Sequence, residues 1–526
     1  MLKYRASDLE FYLMDFKMGA AEFKVYQNMP HVSHLLIDDA DHQAVFEILD
    51  ELNRKMAERG RQIGSDKNIA DYNERHPNDR LPYIVLVVDE CHKLFESDAA
   101  DRKMQESINR VITSIVKEGR SQGVTFVFAT QTFAGMEIPV EIKNEARNKY
   151  LMRVTTNEDA EKLLNGGSIR NNSLSQGYSY HDATKTFVHI YDYRDFYNKA
   201  KETILKNNQR PNGRNNFIFS GKDEYCLPAI GSQKERYPSA YVGKSVSVKR
   251  NDIVIPLRKE SGSNILITGV NEELQSERVF FNAALSLAKQ TYANGKKVRM
   301  SIFDNPGDED DRFDKREWLY EELTLDDRIS IFRSKKERIN EIMRLGNIAR
   351  EGNSENDVHV LMILAEEKMK RILREELPLD VIDSSTEVDM SSSEKDIFGR
   401  PTGKQKTHST SVRKSGTTVQ DELLYLLKEG GESHIHVIMQ VNQPSNILED
   451  PNLIHRNDIR QWFSNIIMLK CSQDIQMRLP GDNIRLDRLS DKSDMLRAIY
   501  LNEDGDTRMF TPYVMPRESY KNQQEY

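Results

Sequence analysis

The chain has very few cysteines. Only Cys91, Cys226 and Cys471 occur among its 526 residues, and they form no CxxC pair. The histidines also show no spacing typical of a zinc site. These absences argue against a disulfide-built secreted domain and against a zinc-binding module, and they favour a reducing compartment such as the cytosol.

Apolar runs of membrane-spanning length and a signal peptide are lacking as well. We therefore expect a cytoplasmic protein, whose association with a membrane would depend on a partner or on sequence not present here. The net charge of -8 provides no overall attraction to nucleic acid, although a local basic lining could still bind it.

A continuous apolar run over residues 83–88 is typical of a β-strand buried on both faces of a parallel sheet. Asp89 and Glu90 follow it directly, at the strand end where open α/β sheets bind ligands. In a nucleotide hydrolase the first acid of such a pair holds magnesium and the second polarises the attacking water. A strand that ends in a solvated turn is the alternative explanation.

A second predicted strand, residues 124–129, ends on Thr130 and Gln131. Apolar residues at helical spacing predict a helix between the two strands, and Arg120 follows that helix. Polar groups after two adjacent strands indicate a site, in which such groups could sense a γ-phosphate or orient water.

Several motifs, in the same order, resemble the FtsK/SpoIIIE family of ring-forming motor ATPases. They are "LEFYLMDFKMGAAEFKVYQNMPHV", "VVDECHKLF", "KEGRSQGVTFVFATQ" and "LMRVTTNEDAEKLLNGG", within residues 8 to about 195. The resemblance implies ATP and Mg²⁺ as cofactors, with Asp89 on magnesium and Thr130 on the nucleotide. It assigns catalysis to Glu90 and Gln131.

The resemblance also implies a homo-oligomeric ring, expected to be a hexamer. In ring motors an arginine from the neighbouring subunit stabilises charge on the transferred phosphate, and Arg120 is the candidate here. The alternative is that Arg120 pairs with a nearby acid and stabilises the fold.

The family's P-loop, GxxxxGK[ST], occurs nowhere in the chain. In these motors its amides cradle the phosphates, its lysine neutralises them and its hydroxyl binds magnesium. Because the acid pair and Gln131 remain, we expect the sequence to be the C-terminal part of a longer protein rather than a motor that has lost ATP binding. The chain alone should bind ATP weakly or not at all.

The motif order restarts after residue 240, which indicates an internal repeat. On the pattern GxxxxGKS, Gly269 is kept, Gln275 replaces the lysine and Ser276 remains. In "HVLMILAEE" we align Ala365 with the first acid of the earlier pair and Glu366 with the second.

A further stretch of the repeat, "LKEGGESHIHVIMQVNQP", matches residues 116–133 without a gap and aligns Asn442 with Gln131. The joint loss of the lysine, the magnesium acid and the arginine predicts a degenerate site that does not hydrolyse ATP. An unrelated α/β domain is the alternative.

These patterns predict an α/β protein with two tandem RecA-like P-loop NTPase domains and largely parallel central sheets. The first lacks its P-loop strand and helix, and the second is degenerate. The predicted boundaries are 1–206 for the first domain, 207–240 for a linker, 241–515 for the second domain and 516–526 for a tail. Composition predicts a disordered insertion at 381–419.

Three functions fit the sequence. The first is a translocase that moves double-stranded DNA through a ring by nonspecific contacts. The second is a protein-export motor that recognises protein substrates, since type VII secretion ATPases of the EssC and EccC kind carry tandem domains, some of them degenerate. The third is a scaffold that does not hydrolyse ATP.

Overall fold

The computed structural model describes residues 1–17, 22–37, 42–95, 102–132, 138–154, 157–164, 174–191, 197–212, 214, 216–230, 237–247, 249–269, 275–290, 297–305, 320, 323, 327–352, 357–364, 369–378, 416–442, 459–477, 479–480, 486, 489 and 496–515. The chain forms two compact units, residues 1–223 with 246–251 and residues 224–245 with 252–526. No helix in the described ranges is long and apolar enough to cross a membrane.

The first unit is built on a parallel five-stranded sheet of order β4-β3-β1-β2-β8. A separate antiparallel sheet contains β5, β6 and β7. The strands are β1 (Leu9–Asp15), β2 (Val32–Ile37), β3 (Tyr83–Asp89), β4 (Val124–Phe128), β5 (Tyr150–Leu151), β6 (Tyr178–His181), β7 (Thr186–His189) and β8 (Phe217–Ser220). The helices are α1 (His42–Ile63), α2 (Ile69–Arg75), α3 (His92–Phe95), α4 (Arg102–Glu118), α5 (Val140–Glu145), α6 (Asn157–Leu163) and α7 (Tyr197–Asn207).

The long helix α1 lies against the face of the sheet that carries Tyr12. Lys55 of α1 donates to the buried carboxylate of Glu10 at 2.8 Å, and its ammonium lies 5.7 Å from the centre of the Tyr12 ring. Because side chains alternate along a strand, Tyr12 and Leu86, which pair across β1 and β3, share this face. Both are fully buried.

The predicted linker at 207–240 is not a linker throughout. Its residues Phe217–Ser220 form β8, which extends the first sheet beyond β2. Arg210 donates to the carbonyl oxygen of Met29 at 3.1 Å, which fastens the preceding segment to the same unit. The Asn, Gly and Pro content indicates loops correctly, but it does not reveal a four-residue strand between them.

The second unit has a ten-stranded sheet of order β10-β9-β18-β17-β16-β11-β15-β14-β12-β13, parallel from β16 to β13 and antiparallel elsewhere. The strands are β9 (Ser239–Ser245), β10 (Asp252–Pro256), β11 (Ile265–Thr268), β12 (Val298–Asp304), β13 (Ile329–Phe332), β14 (Val358–Leu364), β15 (Ile435–Val441), β16 (Asn465–Met468), β17 (Ala498–Leu501) and β18 (Thr507–Pro512). The helices are α8 (Gln275–Ala288), α9 (Lys335–Glu351), α10 (Lys370–Leu373), α11 (Val419–Glu429), α12 (Ile459–Trp462) and α13 (Gln473–Gln476).

Helix α8 covers one face of this sheet. Phe280 and Phe281 of α8 belong to one apolar cluster with Ile265 of β11 and Val360 of β14. The opposite face packs against α9 and α11 in a second cluster. The sequence placed a disordered insertion at 381–419, but α11 begins at Val419 and is capped by Thr418. Residues 381–415, like the predicted tail at 516–526, lie outside the described residues.

Four strands of each unit correspond in order and direction. The run β4-β3-β1-β2 of the first sheet matches β15-β14-β12-β13 of the second, and all the pairs are parallel. In the second unit β11 pairs with the outer edge of β15. In the described part of the first unit, β4 is itself the edge of the sheet. The structure thus confirms an α/β fold with parallel central sheets in each unit.

Candidate active site

The carboxyl ends of β1, β3 and β4 meet at one edge of the first sheet. Parallel pairing sets Asp15 beside Asp89 as the last pair of β1 and β3. The next strand, β4, ends just before Thr130 and Gln131. The sequence prediction that residues after β3 and β4 form one site therefore agrees with the strand order.

Glu90 is held in an unusual backbone conformation. Its φ is 51°, in the left-handed region that non-glycine residues rarely adopt. The chain is fixed on both sides of it, because the Ala129 amide donates to the Val88 carbonyl and the Cys91 amide donates to the Ala129 carbonyl, each at 2.9 Å. Such strain persists where the surrounding structure enforces it, which is typical of functional sites.

The carboxylate of Glu90 is buried and turned toward the end of β4. The backbone N–H of Gln131 donates to its Oε2 at 3.4 Å, and Nδ1 of His92 lies 3.2 Å from the same oxygen. His92 also lies 3.3 Å from the hydroxyl of Thr130. Because no second ligand stands at metal spacing from His92, the sequence alone predicts a packing role for this histidine. The structure instead makes it a partner of Glu90.

Thr130 and Gln131 contribute different groups from those expected. The Thr130 hydroxyl donates to the carbonyl of Thr132 at 2.8 Å, so it shapes the turn after β4. Gln131 contacts Glu90 through its backbone amide, while the residue as a whole is exposed. The side chain of Gln131 is thus accessible to a ligand at this edge.

The carboxylates at the carboxyl ends of β1 and β3 repel one another. Burial raises the pKa of Asp89 above its ordinary value, and the nearby charges of Asp15, Glu90 and Glu22 raise it further. The Glu90 amide, which donates to Asp89 Oδ1 at 3.0 Å, opposes this shift in pKa. A divalent cation would relieve the repulsion, and carboxylate oxygens are ligands that Mg²⁺ prefers, so Asp89 fits a magnesium ion.

Arg120 lies away from this group of residues. It is exposed, in the turn that precedes β4, whereas the acid pair lies beyond the carboxyl end of β3. A five-residue strand spans about 17 Å. Arg120 lies at the amino end of β4 and the acid pair at the carboxyl end of β3, so they are at opposite ends of the strands. Arg120 therefore cannot act in the site of its own chain without a large rearrangement.

In the second unit the strand register shifts our alignment by one residue. Asp304 pairs with Leu364 at the ends of β12 and β14, as Asp15 pairs with Asp89. Leu364, rather than Ala365, therefore occupies the position of Asp89. Ala365 and Glu366 lie outside the described residues. Residues 360–364 of β14 are all apolar, so the sequence offers no polar residue there that would fix the register.

The loop-to-helix junction of the second unit is closed by protein groups. Gln275 and Ser276 begin α8 and are buried. The side-chain amide of Gln440 donates to the Ser276 hydroxyl and to Asn442 Oδ1, each at 3.0 Å. The serine hydroxyl that would face magnesium in a P-loop is here bonded to a neighbouring strand.

Gly269 keeps its place at the end of β11 for a steric reason. Its φ is 151°, and a Cβ atom at this position would lie 2.7 Å from Cβ of Leu469. Asp304, the counterpart of Asp15, accepts a hydrogen bond from the Tyr320 hydroxyl. The second unit thus has a strand that ends at a glycine and a helix that begins at Gln275, while Tyr320 bonds to Asp304 and Leu364 stands in the place of Asp89.

The fold is similar to that of the RecA-like P-loop ATPase domains. A family model for the FtsK/SpoIIIE family matches residues 1–135. This match agrees with the resemblance that the motifs implied. The DNA translocase FtsK of Staphylococcus epidermidis is 27% identical over 178 residues, 32% of this chain and 21% of that protein.

Two further similar proteins bear the name EccC. The ESX-5 secretion system protein EccC5 of Mycobacterium tuberculosis is 31% identical over 144 residues, 25% of this chain and 10% of that protein. The structure of Thermomonospora curvata EccC (ATPases 2 and 3), in complex with a signal sequence peptide, covers 97% of this chain and 83% of that one, with a TM-score of 0.55 and 13% identity. This fold match spans both units and confirms the tandem layout. The chain spans about a fifth or less of the length of these curated relatives.

Asp89→Asn should stabilise the first unit at pH 7 in the presence of a chelator. An acid whose folded-state pKa lies above its unfolded value loses stability as pH rises through the interval between the two values, and asparagine removes that loss. We expect a gain of about 0.5–2 kcal/mol that shrinks as pH falls toward the ordinary carboxyl range. Hydrogen exchange of the β1 and β3 amides measures it.

The matched control is Asp182→Asn, which removes an acid whose partner is Lys185. It should bring no gain. Faster exchange in Asp89→Asn than in the unchanged chain would contradict the electrostatic interpretation.

Proposed function

We propose that this chain is part of an ATP-driven translocase and that its first unit carries the hydrolytic half of the ATP site. The observation that carries this proposal is the arrangement at the carboxyl ends of β3 and β4. There, Asp89 and a strained, buried Glu90 lie beside Gln131 in an FtsK/SpoIIIE-family domain.

In this proposal Asp89 holds Mg²⁺, which would neutralise charge on the phosphates when bound. Glu90 accepts the proton of the attacking water as general base, and the Gln131 amide and His92 hold its carboxylate in place. The Gln131 side chain, being exposed, would orient the water or contact the γ-phosphate.

The phosphate-binding half of the site would come from a strand, P-loop and helix outside these 526 residues. The second unit shows where such an element fits. There, β11 pairs with β15, the equivalent of β4, and α8 packs against β14, the equivalent of β3. Every residue of β15 is buried there, whereas Val127 of β4 is 45% exposed and Thr125 is exposed as well. The first sheet thus has an open edge and a half-covered face at the position of the missing element.

The second unit, we propose, does not hydrolyse ATP. Leu364 stands in the place of the magnesium-binding acid and Gln275 in that of the P-loop lysine. The Ser276 hydroxyl accepts a hydrogen bond from the side-chain amide of Gln440. Such a unit would bind a substrate or regulate its active neighbour. We further propose a homo-oligomeric ring, a hexamer by analogy with the family, that works in the cytoplasm or at a membrane through other sequence or a partner.

For the substrate we favour protein over DNA, in contrast to the order that the sequence suggested. The support is that a secretion ATPase matches the fold of both units, whereas the FtsK relatives align with 32% of the chain. DNA remains the second candidate because those relatives are named DNA translocases. The expectation of nonspecific DNA binding rests on them alone.

Extending the chain at its amino end with a strand–P-loop–helix segment of the family should create ATPase activity. The unextended chain should bind ATP weakly or not at all. In the extended chain Glu90→Gln should lower turnover by at least about a hundredfold and leave ATP binding intact, because an amide cannot accept the proton.

The control for this experiment is Glu366→Gln, which should leave turnover unchanged. Steady-state phosphate release and calorimetry with ATP provide the two readings. An extended chain that binds ATP without turning it over would favour the scaffold, and a large effect of Glu366→Gln would mean that the second unit contributes to turnover.

Arg120→Ala should lower turnover of the extended chain by about a thousandfold or more if Arg120 completes a neighbouring site. Mixing this variant with Glu90→Gln subunits should restore part of the activity, because one subunit provides the arginine and the other the acid. A variant that melts early and shows no rescue on mixing would assign Arg120 a structural role.

The substrate can be tested by stimulation of the same ATPase. A secretion-signal peptide should raise turnover of the extended chain, and double-stranded DNA should not. A scrambled peptide of equal charge is the control. Stimulation by DNA of any sequence, falling steeply with salt, would favour the DNA translocase instead.

A further inference from the structure

Three carboxylates converge at the end of β1 and β3, and only Asp89 was expected in a site. One oxygen from each of Asp15, Glu22 and Asp89 can be chosen so that all three lie within 4.8 Å of one another. Asp15 is fully buried, Asp89 is half-buried and Glu22 is exposed. The cluster therefore extends from the interior of the sheet edge to the solvent.

Asp15 has an unsatisfied oxygen in this cluster. The backbone amides of Lys17 and Phe23 both face this carboxylate and lower its pKa. The Lys17 amide donates to Oδ1 at 3.1 Å, whereas Oδ2 is buried and accepts no well-formed hydrogen bond from the described residues. A buried carboxylate oxygen without a partner is costly, and most such atoms in native proteins bind another group. Burial raises the pKa of Asp15, and the Glu22 charge adds to that shift.

The spacing suits a hard divalent cation. Oxygens on opposite sides of such an ion, bound at 2.0–2.6 Å, lie about 4–5 Å apart, and adjacent ones lie closer. Three oxygens within 4.8 Å can therefore share one ion with small adjustments of the exposed Glu22. Asp15 and Asp89 are held by neighbouring parallel strands, so two of the three ligands are preorganised.

Lys17 provides part of the compensating charge. Its ammonium lies 3.2 Å from Oε1 of Glu22, and this contact, with the charges of Asp89 and Glu90, raises its pKa. The Lys17 ammonium is exposed and pairs with Glu22, so a cation that bound through Glu22 would have to displace this ion pair. Lys17 therefore competes with a cation for the Glu22 carboxylate.

We propose that Asp15, Glu22 and Asp89 bind a hard divalent cation of the Mg²⁺ or Mn²⁺ kind in the absence of nucleotide. The proposal deepens the proposed function, since the ion would be held by the chain before ATP arrives. It differs from that function in its ligands, because Asp15 and Glu22 join the single acid expected, and in not needing a P-loop.

The test is titration of the intact chain, without nucleotide, with Mn²⁺ followed by calorimetry and by the electron paramagnetic resonance signal of the free ion. One ion should bind at this cluster. Asp15→Asn and Glu22→Gln should each weaken binding by about tenfold or more, because affinity follows the number of charged ligands. Lys17→Met should strengthen it by about two- to fivefold, because a competing charge is removed.

Asp182→Asn, which removes an ion-paired acid outside the cluster, is the matched control and should leave Mn²⁺ affinity unchanged. Glu22→Gln serves if Asp15→Asn does not fold, because Glu22 is exposed. Absence of Mn²⁺ binding, or equal losses in Asp182→Asn and Glu22→Gln, would overturn the proposal. Neither result concerns ATP turnover by the extended chain, so the two proposals can fail separately.

Discussion

The candidate site depends on the register between β1 and β3. These strands are parallel and pair over their full length, so their last residues, Asp15 and Asp89, are fixed side by side. A slip of one residue would turn Tyr12 and Leu86 from the face under α1 to the opposite face. The burial of those apolar side chains therefore holds two like charges together, and the packing of the core sets the geometry of the acids.

The same strand positions in the second unit show what happens when this repulsion is absent. Leu364 stands in the place of Asp89, and Asp304, which stands in the place of Asp15, accepts a hydrogen bond from Tyr320. No cation is then needed to balance the end of β12 and β14. The first unit retains a charge arrangement that is unfavourable for folding, and this favours a ligand-binding role for its acids over a purely structural one.

Much of the fold was readable from the sequence because buried parallel strands are continuous apolar runs. The strands β3, β4, β14 and β15 and the acids after β3 could be predicted in this way, and the ungapped match of residues 116–133 with 427–444 correctly equates β4 with β15. Register along β14 could not, because "VLMIL" has no polar marker. Only the pairing with β12 shows that Leu364 holds the position of Asp89.

Side-chain partners were less predictable than strands. His92 lies next to Glu90 because α3 begins directly after the strained turn, and neither spacing nor composition indicates that turn. Asp15 stood in a matched motif, yet its proximity to Glu22 and Asp89 follows from strand pairing and from the path of the chain after β1. Sequence patterns thus identified the elements, whereas contacts between residues distant in sequence required the structure.

Packing explains why the second unit needs β11 and α8 although Gln275 stands where the P-loop pattern has its lysine. Phe280 and Phe281 of α8 fill the cluster that also contains Ile265 of β11, so removing this strand and helix would open the core. A lysine at position 275 would contribute nothing to that cluster, and its loss costs no apolar contact. The packing of the core therefore requires β11 and α8 whatever residue stands at position 275. The fold of this unit thus does not depend on the charged groups that a P-loop needs for hydrolysis.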